Sequence, residues 1–150
     1  MKVIIGADHA GFALKEALKP WLVTGGHEVV DVGAMSLVPD DDYPDYVRLL
    51  VDQILSDSID PRGVFCARSG EGEAIAANRH KGIRAVVYNH HNMELVAKTR
   101  TDNNANVLCI GSDFVTAAQI EEALTLWLST PFDTTSRHAR RLAKIDNSTS

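Results

Sequence analysis

Short apolar runs alternate with longer amphipathic ones along this chain, and that alternation most limits the folds open to it. Residues 2–5, 28–32, 63–66, 84–88 and 106–110 read as strands, and 12–23, 43–56, 73–80, 91–101 and 116–129 as helices. The strands are nearly continuous in Val, Ile and Leu, as expected when helices cover both faces of a sheet. Regular βα alternation then implies a parallel, doubly wound sheet with right-handed crossovers. In the first helix Leu14, Leu18, Trp21 and Leu22 fall at three- and four-residue spacing and form one buried stripe. Trp127 also lies on an apolar helix face and is expected in the core. After Pro131, residues 133–145 read as a charged C-terminal helix.

The 150 residues suit a single domain, with 146–150 read as a frayed polar tail and 37–42 as a surface loop. The formal charge of −5 argues against broad nucleic-acid binding. No apolar run approaches membrane-spanning length, so no membrane partner is expected, and Met1-Lys2 leads into a strand rather than a signal peptide. Cys66 and Cys109 lie in strand-like runs without metal-type spacing. Two buried free thiols suit a cytoplasmic setting.

In open parallel sheets ligands bind beyond the carboxyl ends of the strands. That places Asp8 and His9, residues 67–73, residues 89–91 and residues 111–113 on one rim. Asp8 is either a helix cap or a ligand contact, and His9 either a phosphate donor or an acid. Ser69, Gly70 and Gly72 form a loop whose amides can approach an anion. Glu73 serves there either as a capping carboxylate or as a base, while Glu71 reads as solvated. Residues 99–104 enter the fifth strand on the opposite edge. They are turn residues or they reach a site across a subunit interface. Arg137 and Arg141, four apart, share a helix face and either grip a phosphate or form a solvated basic end. His90 and His91 lack a third ligand at useful spacing, so no metal site is expected.

These pieces resemble the type B ribose-5-phosphate isomerase and galactose-6-phosphate isomerase family over nearly the whole chain. The matching motifs are Gly6-Ala7-Asp8-His9-Ala10-Gly11, Asp42-Tyr43-Pro44, and Ser69-Gly70-Glu71-Gly72-Glu73 followed by Ile75-Ala76-Ala77-Asn78. Gly82-Ile83-Arg84-Ala85, Asn103-Asn104-Ala105-Asn106-Val107 and Arg137-His138 with Arg141 complete the set. The resemblance implies a Rossmann-like three-layer α/β/α sandwich with a five-stranded parallel sheet and a C-terminal helix. It also implies a homodimer, or a tetramer made of two such dimers, with each site shared between subunits and Asn103 and the last helix serving the neighbour.

The implied reaction interconverts an aldose phosphate and a ketose phosphate through an enediolate, with no metal or organic cofactor. Ribose 5-phosphate to ribulose 5-phosphate, a step of the pentose phosphate pathway, is the default. By the same resemblance Glu73 is the base; the branch that uses cysteine has it where Ala67 stands. Ser69 and the amides of Gly70, Glu71 and Gly72 match oxyanion and hydroxyl contacts. Asp8 matches a ring-oxygen or hydroxyl partner, Tyr43 lines the pocket, and His9, Arg137 and Arg141 match phosphate contacts.

Three positions depart from that pattern. Asp102 stands where a ring-opening histidine is usual, Asp113 where a phosphate-binding arginine is usual, and Arg68 where a glycine is usual. Arg68 is expected either to pair with Asp102 or Asp113 or to supply the missing phosphate contact. A tetrose or hexose phosphate is therefore an alternative substrate. A sugar-phosphate-binding protein without turnover is the alternative from another class.

Overall fold

A computed structural model describes residues 1–147. Five strands, β1 (Lys2–Ala7), β2 (Glu28–Asp31), β3 (Arg62–Ala67), β4 (Ala85–Tyr88) and β5 (Val107–Gly111), form one sheet in the order β2-β1-β3-β5-β4. Every pairing is parallel. The helices are α1 (Phe12–Thr24), α2 (Tyr43–Ser56), α3 (Glu71–Ala77), α4 (Met93–Thr101), α5 (Ala117–Ser129) and α6 (Arg137–Asp146). This is the expected three-layer α/β/α arrangement.

Strand alternation divides the core between the two faces. Val3, Ile5, Val64, Cys66, Leu108 and Ile110 point toward α1, α4 and α5, where Leu18, Leu22, Val96, Leu124 and Trp127 meet them. Ile4, Phe65, Val107 and Cys109 point the other way, against Val47, Leu50 and Ile54 of α2 and Ala74 and Ala77 of α3. Cys66 and Cys109 are free and buried, and burial pushes both thiols up. Cys66 therefore faces away from Ala67 and α3, as alternation requires. Trp21 is only partly buried, packed against the rim of the first cluster.

Lys15 is a surprise: it is fully buried, its Nζ bonded to Asp31 at 2.5 Å and to Glu16 at 2.7 Å. Desolvation of this ammonium is offset by those carboxylates and by the Phe12 ring 5.2 Å away. The pair ties α1 to the end of the edge strand β2, and Gly33 N–H also donates to Asp31.

Several expected boundaries move. Helix α3 starts at Glu71 rather than 73, because Gly70 at φ 81° ends the loop earlier. Helix α6 starts at Arg137 rather than 133: Asp133 instead accepts from the amide and hydroxyl of Thr135, and Ser136 caps the helix. Asp146 belongs to α6 rather than to a frayed tail, and its Oδ1 accepts from the Gly82 amide at 3.1 Å. Residues 148–150 of that expected tail lie outside the described residues. Among the described residues no helix is long and apolar enough to cross a membrane.

Strands β1 and β3 are neighbours although β2 intervenes in sequence, so the chain reverses direction across the sheet between them. A ligand crevice opens at such a switch point. Here the loop after β1 presses hard onto β3: a β-carbon on Gly11 would stand 1.8 Å from the Cys66 carbonyl oxygen. Gly11→Ala is expected to destabilise the fold by about 3 kcal/mol through overpacking. A lowered urea midpoint checks this, and an unchanged midpoint contradicts it.

Candidate active site

The switch point brings two loops together. After β1, Asp8 is buried and its Oδ1 accepts from the amides of Ala10 at 3.0 Å and Gly11 at 3.2 Å. It thus serves the turn that begins α1, as a cap-like acceptor. His9 follows on the same turn and is more exposed. Its Nδ1 lies 2.6 Å from Asp41 Oδ1, which also accepts from the His9 amide at 2.9 Å. That hydrogen bond, with the Asp8 and Asp40 carboxylates nearby, raises the His9 pKa above its ordinary value. Burial works against the Asp41 charge, but the bonds from His9 and Tyr46 leave its carboxyl below the usual range.

Asp41 belongs to the segment read from sequence as a surface loop. Composition offers three successive aspartates there and nothing to distinguish the middle one. Only the fold, by laying this loop over β1, turns its side chain onto His9. Asp8, His9 and Asp41 also place one ligand atom each within 4.8 Å of one another. The His9–Asp41 hydrogen bond accounts for that cluster.

After β3, Gly70 adopts the left-handed region, where any side chain would strain and its β-carbon would meet the Cys109 carbonyl at 2.9 Å. This turn lets α3 begin directly over the sheet. Ser69 Oγ accepts from the Glu71 amide at 3.4 Å. Tyr43, opening α2, lays its hydroxyl over Gly72 and so walls the loop on one side.

Glu73, on the first turn of α3, is only 7% exposed, and its Oε2 is buried without a hydrogen-bond partner. Burial raises its pKa first, and the Asp8 charge raises it further. The carboxyl's own backbone amide opposes that rise; a buried carboxyl with one open oxygen and a raised pKa is suited to take and return a proton.

Glu71 is exposed but not simply solvated: Asn89 Nδ2 donates to its Oε1 at 2.9 Å and reaches the Ser69 carbonyl at 3.4 Å. Asn89 was legible only as a rim residue. Arg68 resolves to one of its expected partners. Its Nε donates to Asp113 Oδ2 at 2.9 Å, with the guanidinium 74% exposed. The backbones beneath are joined as well, Asp113 N–H donating to the Arg68 carbonyl at 3.1 Å.

The other expected site residues lie elsewhere. Asp102 caps the end of α4, Asn103 follows it, and both precede β5. In a parallel sheet that is the edge opposite Asp8 and Glu73. Helix α6 docks at the same distant edge, where Asn103, Arg84, Ile83 and Leu142 line a crevice. Arg137 and Arg141 are exposed on it, and among the described residues no carboxylate pairs with either. Within one chain the fold therefore joins Asp8, His9, Tyr43 and residues 68–73, and separates them from Asp102, Asn103, Arg137 and Arg141.

Residues 3–145 match the Ribose/Galactose Isomerase family. Ribose-5-phosphate isomerase B of Mycolicibacterium paratuberculosis is 35% identical over 142 residues, covering 95% of this chain and 87% of the relative. Ribose 5-phosphate isomerase of Thermotoga maritima superposes with a TM-score of 0.88 at 40% identity, over 97% of each chain. Ribose-5-phosphate isomerase B of Mycoplasma genitalium, solved with bound ribulose 5-phosphate, gives 0.89 at 34% identity, over 97% of this chain and 94% of that one.

Asp41→Asn removes the partner that holds the proton on His9. The His9 titration midpoint, followed by NMR, is expected to fall toward the ordinary imidazole value near ~6.5. A midpoint that does not move contradicts the pairing.

Proposed function

The chain belongs to the ribose/galactose isomerase family, and on that premise we propose that it converts ribose 5-phosphate and ribulose 5-phosphate into one another. One observation carries the reading: Glu73 is a buried carboxyl with one oxygen that no donor meets, and it feels the charge of Asp8 on the facing loop. Glu73 takes the proton from C2 of the open-chain aldose and returns it to C1. The electrons pass through an enediolate as the C2 hydroxyl gives up its proton and the C1 oxygen gains one, and no cofactor is needed. Ser69 and the amides of Gly70, Glu71 and Gly72 receive the negative charge that develops on the oxygens. Asp8 holds a sugar hydroxyl, Tyr43 bounds the pocket, and His9, whose protonated form Asp41 favours, meets the phosphate.

The remaining phosphate contacts come from a second copy of the chain. Arg137 and Arg141 are exposed cations without carboxylate partners among the described residues, on the edge away from Glu73, and Asn103 lies with them. A two-fold homodimer that sets one copy's α6 against the other's rim completes both sites at once. Arg68 is engaged with Asp113, so its share in phosphate binding requires that it leave a surface pair worth about 0–1 kcal/mol.

The test is ketose formation from ribose 5-phosphate. Glu73→Gln is expected to lower kcat by roughly 10³-fold, within the range for loss of a positioned acid or base. The linkage sign runs opposite for stability. A carboxyl with a raised folded pKa contributes stability when protonated and loses it as pH rises through that pKa, so at neutral pH the charged form is a burden. The variant's Tm should therefore equal or exceed that of the parent; full activity in it refutes the base assignment. For the shared site, mixing Glu73→Gln with Arg141→Ala subunits and letting them exchange should restore about a quarter of parental activity, because half the dimers are mixed and each has one intact site. No recovery, with exchange demonstrated by mass, contradicts the sharing.

A further inference from the structure

Opening the sugar ring needs an acid, and Asp102, standing where the family resemblance places a histidine, is a poor one when ionised because a carboxylate only accepts hydrogen bonds. The fold puts a histidine beside it. His138, on the first turn of α6, is half-buried, and its Nε2 lies 3.9 Å from Asp102 Oδ1. Nε2 accepts from Arg137 Nε at 3.5 Å, while Nδ1 makes no hydrogen bond among the described residues. Nδ1 is thus the nitrogen open to pass a proton to a ligand, and the Asp102 carboxylate lies beside Nε2 at ion-pair distance without a hydrogen bond to it.

The elements that carry the pair are well anchored. Arg100, only 1% exposed, donates from Nη1 to Asn104 Oδ1 at 2.9 Å and to the Ala105 carbonyl at 2.6 Å, and from Nε to the Thr130 carbonyl at 3.2 Å. Its guanidinium lies over the Trp127 ring, and burial pushes its pKa down to about 10. The turn after α4 is thereby fixed. Asp146, at the far end of α6, holds the Gly82 amide and fixes the helix against the same edge. Thr101 Oγ1 donates to Asp102 Oδ1 at 2.9 Å, which orients the carboxylate. The histidine sits between Arg137 and Arg141, the two arginines assigned above to the phosphate, so whatever brings them to the sugar brings His138 as well.

We propose that His138, oriented by Asp102, is the acid that opens the sugar ring in the neighbouring subunit's site. The step rests on the isomerase reading and on the shared site. The protonated imidazole gives its proton to the ring oxygen as the bond from that oxygen to C1 breaks. The proton on the C1 hydroxyl passes to Asp8, and its oxygen electrons form the aldehyde. Asp8 then releases that proton to solvent, and His138 takes one back. Nothing is oxidised or reduced. Asp102 touches no reacting atom; it is a positioning residue.

The decisive experiment separates ring opening from isomerisation. Ribulose 5-phosphate cannot close a five-membered ring through its phosphorylated C5 oxygen, so exchange of its C1 hydrogen with deuterated water needs Glu73 but no ring-opening acid. His138→Gln is expected to lower kcat/KM on ribose 5-phosphate by roughly 10²-fold and to leave that exchange within about twofold of the parent. Asp102→Asn should show the same selective loss, smaller in size. Equal loss in both assays, or no loss in either, overturns the assignment. A parent protein that neither converts ribose 5-phosphate nor exchanges ribulose 5-phosphate overturns the isomerase reading itself.

Discussion

The pairing of β1 with β3 is the constraint on which the rest depends. The register that sets Ala7 against Cys66 leaves the two strands ending side by side, with Asp8 and Arg68 as the next residues of each. Because β2 lies outside β1 and β5 outside β3, no strand intervenes and the two loops share one crevice. Gly11 lying on the Cys66 carbonyl and Gly70 on the Cys109 carbonyl are the local consequences: the loops are pressed onto the sheet so closely that β-carbons have no room. What the fold gains is a short helix start placed directly beside a buried carboxylate.

The electrostatics follow from that geometry. Glu73 is driven toward its neutral form by burial and by Asp8, whereas His9 is driven toward its charged form by Asp41. Two groups a few residues from one crevice are thus pushed in useful and opposite directions. Burial and Asp8 favour the neutral form of the one, and Asp41 favours the charged form of the other. Arg137 and Arg141 are on the other edge, exposed and without carboxylate partners among the described residues. Under the proposed dimer, each chain would contribute half of a site at each end.

Much of this was legible in the residues. Alternating periodicity identified all five strands, because continuous Val/Ile/Leu runs have few other uses. The carboxyl-end rule placed Asp8 and residues 67–73 together. The opposite placement of residues 102–103 followed from the same rule. What escaped were side chains whose partners come from distant segments. Asp41 looks like any loop aspartate until the loop is folded over His9. Lys15 looks like a solvent-facing lysine on an amphipathic helix until Asp31 and Glu16 receive it. The Asp102–His138 contact joins residues on two elements that no local pattern connects. The start of α6 was set too early because 133–136 has the polar, helix-compatible composition of a capping turn.

The most direct test of the account is hydrogen exchange at the substrate carbons during turnover of ribose 5-phosphate in deuterated water. Deuterium is expected in the ribulose 5-phosphate formed by the parent protein to the extent that the proton on Glu73 exchanges with solvent before it returns to C1, with both product and label lost in Glu73→Gln. Product, labelled or not, formed at the parental rate by Glu73→Gln would contradict proton transfer through Glu73.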